Sequence, residues 1–99
     1  MRELSYLSRE YFEAEITAVA PDGTAVPPAD LPVKFAFVPA GAAADDADWQ
    51  DAANLRGDVF GVLIGPAALV LDRGDYDVWR RITDDPEEPT EPFGKLRIY

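Results

Sequence analysis

The sequence predicts an all-β domain: an immunoglobulin-like or fibronectin type III-like antiparallel β-sandwich of six to seven strands. Three observations predict it. Apolar and polar residues alternate with the period of two that a half-buried strand requires. Turn residues punctuate those runs at the short spacing of a sandwich. The stretch Leu71-Asp72-Arg73-Gly74-Asp75-Tyr76 has the Leu-x-x-Gly-x-Tyr spacing of a tyrosine corner. A small five-stranded or six-stranded barrel is the structural rival.

Residues 1–10 read as an N-terminal arm and 11–99 as a single domain. The first strand runs from Tyr11 to Val19, with Phe12, Ala14, Ile16 and Ala18 on one face and Glu13, Glu15 and Thr17 on the other. Pro21-Asp22-Gly23 is a turn, and Pro27, Pro28 and Pro32 make the next stretch a loop. Val33 to Val38 resumes the alternation, with Val33, Phe35 and Phe37 inward and Lys34 outward. Gly41-Ala42-Ala43-Ala44 with Asp45, Asp46 and Asp48 reads as a loop holding at most one helical turn. Trp49 opens a short strand to about Leu55, Arg56-Gly57-Asp58 turns, and Val59 to Ile64 forms a longer strand that Gly65-Pro66 ends.

At the corner, Leu71, Gly74 and Tyr76 have distinct roles: Gly74 supplies the turn, and Tyr76 anchors it by bonding its hydroxyl to upstream backbone. The strand from Tyr76 reaches Thr83, and Asp84-Asp85-Pro86 ends it. Gly94 to Tyr99 is the last strand, with Leu96 and Ile98 inward. Arg80 falls in the inward row of Tyr76, Val78 and Ile82. Either a bulge shifts the register there or the arginine stem snorkels out at the sandwich end.

A chain of 99 residues suits one domain, and 47% hydrophobic with 28% charged residues is the balance of a soluble globular protein. The longest apolar run, Val59 to Leu71, is broken by Gly61, Gly65 and Pro66, so no membrane span is expected. The N-terminal residues lack the apolar stretch of a secretory signal, and the expectation is a protein made in the cytoplasm. Without cysteine there is no disulfide or thiolate chemistry. Without histidine the commonest general base and metal ligand is missing. A net charge of −10 argues against nucleic acid as a partner, because duplex affinity comes chiefly from Lys and Arg at phosphates.

Two acidic groups could in principle bind calcium: Asp45, Asp46, Asp48 and Asp51, and Asp84, Asp85, Glu87, Glu88 and Glu91. Neither follows the EF-hand order, and solvated loop charge is the plainer reading. Ser5 and Ser8, the only serines, have no histidine to activate them, and no glycine-rich phosphate loop occurs. Neither an enzyme nor a cofactor is expected. The triplet Arg56-Gly57-Asp58 spells the integrin adhesion tripeptide, although Gly-Asp is also ordinary turn chemistry.

The cations are placed more tellingly. If Tyr76 and Val78 point inward, Trp79 and Arg81 point outward, and Lys34, Lys95, Arg97 and Tyr99 share that direction on neighbouring strands. One sheet face is then basic and aromatic on an acidic molecule, and Trp, Tyr and Arg are the residues enriched at interface hot spots. The competing reading is that arginine stems merely cover Trp79 on a solvated sheet.

Three segments carry a family resemblance. Leu7-Ser8-Arg9-Glu10-Tyr11, Phe37-Val38-Pro39-Ala40-Gly41 with Asp48-Trp49, and Gly74-Asp75-Tyr76-Asp77-Val78-Trp79-Arg80-Arg81-Ile82-Thr83-Asp84 with Pro86-Glu87 resemble small virion proteins of actinobacteriophages. The last segment is the distinctive one, and at Arg80 this chain departs from the apolar residue the family tends to carry. The resemblance implies a non-catalytic structural component of a tailed-phage particle, encoded among capsid and head-to-tail connector genes. It implies other virion proteins as partners, in multiple copies, with capsid decoration or connector reinforcement as the role. The alternatives are a carbohydrate-binding or adhesion module that uses its loops, and a calcium-ordered module.

Overall fold

The computed structural model describes residues 2–16, 18–19, 25–26, 32–42, 49–82 and 90–99, with backbone alone at 18–19 and 25–26. The Pro21-Asp22-Gly23 turn, Pro27 and Pro28, Thr83, and most of both acidic groups lie outside the described residues.

The described residues form ten strands, in chain order β1 (Arg2–Leu4), β2 (Glu10–Glu15), β3 (Ala18–Val19), β4 (Ala25–Val26), β5 (Val33–Pro39), β6 (Gln50–Asp51), β7 (Ala53–Arg56), β8 (Val59–Ile64), β9 (Gly74–Ile82) and β10 (Thr90–Ile98). No helix occurs among the described residues. The strands form a five-stranded sheet in the order β1-β10-β9-β5-β6, a three-stranded sheet β2-β8-β7 and the small pair β3-β4. The expectation of a purely antiparallel domain is corrected at β1, which pairs parallel to β10 with Leu4 opposite Ile98. The large sheet is therefore mixed, and the three-stranded sheet is antiparallel.

The same pairing alters the reading of residues 1–10 as an arm. Arg2 to Leu4 belongs to the sheet, Leu4 is buried, and a turn closed by Ser8 N–H on the Ser5 carbonyl leads directly into β2. Arg2 also reaches across to the edge of β2 that pairs with no other described strand, donating to the carbonyls of Tyr11 at 3.1 Å and Glu13 at 3.4 Å. A charged side chain on an open strand edge discourages a further strand from adding there.

The inward rows meet in one core. Phe12, Ala14, Ile16, Phe60, Val62 and Ile64 come from the three-stranded sheet side, and Val33, Phe35, Tyr76, Val78, Leu96 and Ile98 from the five-stranded sheet. Phe12 bridges the layers, with edge-on contacts to Phe35 at 5.7 Å, Phe37 at 5.4 Å and Phe93 at 6.3 Å between centroids. Edge-to-face packing suits the ring quadrupoles and adds to the area buried.

The single strand expected from Trp49 to Leu55 is two strands in different sheets. Gln50 and Asp51 pair with β5, the chain crosses at Ala52, whose N–H donates to the Val33 carbonyl, and Ala53 onward pairs with β8. Gly65 ends β8 for a steric reason: at φ 131° a side-chain carbon there would lie 2.2 Å from the Ser8 carbonyl oxygen. Only glycine lets the 65–69 turn sit against the β1–β2 connection.

Candidate functional site

Alternation along β9 divides its side chains between the core and the outer face of the large sheet. Tyr76 and Val78 are buried in the core, while Asp75, Asp77, Trp79 and Arg81 share the outer row. Register then sets their neighbours. Lys34 lies opposite Arg81, Ala36 opposite Trp79 and Val38 opposite Asp77 on one side, with Pro92 opposite Trp79, Lys95 opposite Asp77 and Arg97 opposite Asp75 on the other. Lys34, Trp79, Arg81, Lys95 and Arg97 are thus brought to one face. Tyr99 follows in the same row but sits at its corner, where its backbone bonds Leu4 and Tyr6. There it is exposed, as is Tyr6, whose N–H donates to its carbonyl.

That face is not basic. Lys95 donates to Asp77 at 2.9 Å, Arg97 to Asp75 at 2.8 Å, and Arg97 also lies 3.8 Å from Glu3. Lys34 pairs with Asp51 at 3.7 Å, and Arg81 donates to the Thr90 hydroxyl at 2.9 Å. Four cations therefore share the face with four carboxylates, Glu3, Asp51, Asp75 and Asp77. Asp75 and Asp77 stand two and four residues before Trp79, so the same alternation that turned the cations outward turns them outward too. Across the whole chain all nine cations lie in described residues, but nine of the nineteen carboxylates do not, leaving ten beside the nine cations. The excess of acidic over basic residues therefore falls almost wholly outside the described residues, which are close to balanced.

Trp49, expected at the opening of a strand, stands immediately before β6 and joins the same face. Extending the β5–β6 register by one residue places it beside Ala36, and Arg81 stacks on its ring at 4.2 Å. Ala36 is thereby flanked by Trp49 and Trp79 and is 0% exposed, although it faces away from the core. A small residue is what allows two indoles to close over the sheet at that point. Both tryptophans of the chain serve one face.

The depth of the site comes from an irregularity in β10. The register shifts between Pro92 and Gly94, so Phe93 is an extra residue with no partner on β9. A bulge reverses the inward–outward parity on either side of it. Leu96 and Ile98 face inward beyond it, whereas Phe93 and Glu91 face inward at and before it, and Phe93 packs at 5.6 Å against Phe35. Gly94, opposite Val78, has no side chain to compete for that space. At the bulge lies a groove of about 430 Å³, bordered by Asp77, Trp79, Pro92 and Lys95 of the outer row and by Val78 and Phe93 of the inward row. Its one carboxylate is fully engaged: Lys95 donates to one oxygen of Asp77 and the Gly41 N–H donates to the other at 3.1 Å. Those two donors hold the Asp77 carboxyl below its usual range, and the same pair raises the Lys95 ammonium.

Of the two explanations for Arg80, the second describes its position. The β5–β9 register runs without interruption through Arg80, opposite Phe35, and the bulge lies in the neighbouring strand. The stem of Arg80 stays in the inward row, its guanidinium lies 5.5 Å from the Phe93 ring, and it ion-pairs with Glu91 at the end of the core. The parity reversal at Phe93 is what turns Glu91 towards it.

The remaining sequence candidates fall elsewhere. Tyr76 donates its hydroxyl to the Asp72 carbonyl at 2.7 Å, with Leu71 packed against the core and Gly74 at φ 145°. Arg56-Gly57-Asp58 forms the tip between β7 and β8, where Arg56 is drawn back to Glu13 at 3.0 Å and Asn54 bonds the Gly57 carbonyl. Among the described residues no three carboxylates gather as a metal site, and the described members of the two acidic groups, Asp51 and Glu91, both face cations. No family model, curated protein or solved structure matches the chain.

Proposed function

We propose that this protein is a non-catalytic structural component of a tailed-phage particle, with an immunoglobulin-like or fibronectin type III-like fold, that docks neighbouring virion proteins through the face around Trp79. The groove at the β10 bulge carries this reading: an apolar, tryptophan-walled depression on a face whose charges cancel. Partly exposed tryptophan beside arginine is the composition of an interface core, where charge is depleted and aromatic area concentrated.

The fold-level part of the proposal draws on strand order. Taking β2, β5, β6, β7, β8, β9 and β10 as B, C, C′, D, E, F and G gives the sheets BED and C′CFG, with the tyrosine corner at the start of F. The virion part draws on the resemblance of the segment from Gly74 to Glu87 to actinobacteriophage proteins. Purified particles analysed by mass spectrometry are expected to contain the protein in many copies, and Trp79→Ala is expected to deplete it from them. Particles that lack the wild-type protein would sink the reading.

A further inference from the structure

Arg73 is held in place without a carboxylate to hold. Arg80, Lys95 and Arg97 grip carboxylates, and Arg81, stacked on Trp49, gives its Nε–H to Thr90. The guanidinium of Arg73 lies 3.7 Å from the centre of the Tyr6 ring, and no described residue accepts a hydrogen bond from it or forms an ion pair with it. Asp72, its neighbour in the chain, gives its carbonyl to Tyr76 and pairs with no described cation. Stacking restrains the plane of a guanidinium and leaves the N–H donors at its edge available, the arrangement that receives a carboxylate in bidentate fashion.

The ring beneath Arg73 is itself fixed. Tyr6 and Leu7 are the central residues of a turn closed by the Ser8 N–H on the Ser5 carbonyl and, at 3.3 Å, by the Leu7 N–H on the Ser5 hydroxyl. The Tyr6 N–H bonds the Tyr99 carbonyl at 2.8 Å, and the 65–69 turn sits against Ser8. Leu7 is 72% exposed at the tip and Tyr99 is 59% exposed. No charged residue occurs in 4–8 or 59–71. The patch is apolar around one cation and its backbone is already ordered, so a partner docking there has little left to immobilise.

These features limit what can lie on it. A wholly apolar partner would strip water from the Arg73 N–H groups and return no acceptor. A segment rich in carboxylates, or a second copy, would bring further negative charge to a chain of net charge −10. We propose that the patch of Tyr6, Leu7, Arg73 and Tyr99 docks a segment of another protein that carries a single carboxylate next to an apolar side chain. The carboxylate takes the Arg73 donors, and the apolar group covers Leu7 and the exposed tyrosine rings. The patch shares no residue with the groove beside Trp79, and this docking goes beyond the role given to that face.

The test selects a random heptapeptide display library on the full chain and measures the enriched peptides, resynthesised, by calorimetry. Enrichment of peptides with one Asp or Glu beside Leu, Ile or an aromatic residue is expected. Arg73→Ala should weaken their binding by about 10-fold or more with its circular dichroism unchanged, as should an amide in place of the peptide's carboxylate. Arg73→Lys keeps the charge without the fork and should recover little of the loss. Leu7→Ser should also weaken binding. Trp79→Ala should bind as the parent does, and so should Arg9→Ala, since Arg9 is exposed and stacks on no described ring. Failure to enrich any peptide, enrichment of peptides without a carboxylate, or equal binding by Arg73→Ala would each overturn the proposal. So would full recovery in Arg73→Lys or an equal loss in Arg9→Ala, either of which assigns the binding to charge alone. Self-association in sedimentation that is lost in Arg73→Ala would overturn it in favour of a second copy. Binding lost in Trp79→Ala but kept in Arg73→Ala would move the peptide to the other face and leave the docking role there standing.

Discussion

The hydroxyl of Tyr76 and the carbonyl of Asp72 are joined by a 2.7 Å hydrogen bond that ties the start of β9 to the chain four residues upstream. Tyr76 is 9% exposed, so its ring belongs to the core while its oxygen reaches the corner. Tyr76→Phe keeps the ring and deletes the bond. A loss of about 1 kcal/mol in urea unfolding at neutral pH is expected, since the freed carbonyl sits at an exposed residue and regains water.

The same residue sets an alkaline limit. Burial pushes the Tyr76 phenol above its usual value of 10.0, and the nearby Asp72 charge adds to this against the hydrogen bond. A folded-state value above the unfolded one means stability is intact below about pH 10 and falls as pH rises towards the folded value. Melting temperatures followed up the alkaline range should fall for the parent, and fall less steeply for Tyr76→Phe.

Gly65 and Gly41 both have positive φ but differ in their surroundings. At Gly65 an added carbon meets the Ser8 backbone, whereas at Gly41, with φ 85°, it meets nothing within 4 Å. Gly41→Ala should therefore cost about 1 kcal/mol, the backbone strain alone. Gly65→Ala should cost about 3 kcal/mol or more, because strain and collision add and neither backbone can yield cheaply. Equal melting temperatures for the two variants would refute the distinction.

What the residues announced, and what they concealed, follows from how local each signal is. The rows of Phe12, Ala14 and Ile16, of Val33 and Phe35, and of Tyr76 and Val78 are legible because alternation needs only the strand itself. The tyrosine corner is equally local. The outward carboxylates Asp75 and Asp77 obey the same alternation and were equally readable. They offset Lys95 and Arg97 on that face. The bulge at Phe93 is different. Pro92 and Gly94 look like the end of a loop, and the reversal there depends on a vacancy beside Phe12 and Phe35 that only the folded core defines. Nor does any local pattern tell which sheet the residues either side of Ala52 will join. Three residues, Arg2 to Leu4, are too few to show a period, and a parallel partner 94 positions away leaves no trace in them.

Arg80 and Glu91 are the next test. The guanidinium stem occupies a core row, its side chain is 20% exposed, and its partner is half-exposed. Ion pairs in such places gain little over an apolar group of similar size, because desolvation offsets the attraction. Arg80→Leu should leave stability within about 1 kcal/mol of the parent, since leucine can fill the space beside Phe93 and Glu91 can turn to solvent. Glu91→Ala should be the more harmful change, leaving a partly buried cation without its carboxylate. Urea unfolding of both variants at neutral pH checks the order, and a larger loss in Arg80→Leu would reverse the assignment.

The surface pairs set the acid limit. Lys95 holds the Asp77 carboxyl below its usual 3.8, and Arg56 holds Glu13 below 4.5, each mainly by a direct hydrogen bond. Folded-state values below the unfolded ones give a contribution that is present above about pH 4.5 and lost as pH falls through the folded values. Melting temperature should therefore be level from neutral pH down to about 5 and decline below about 4. Lys95→Met removes one pair without removing the stem that covers the sheet. Its melting temperature should lie below the parent's at neutral pH, approach it in high salt, and meet it once Asp77 is protonated. A gap that persists undiminished in strong acid would assign the loss to packing of the lysine stem instead of to the ion pair.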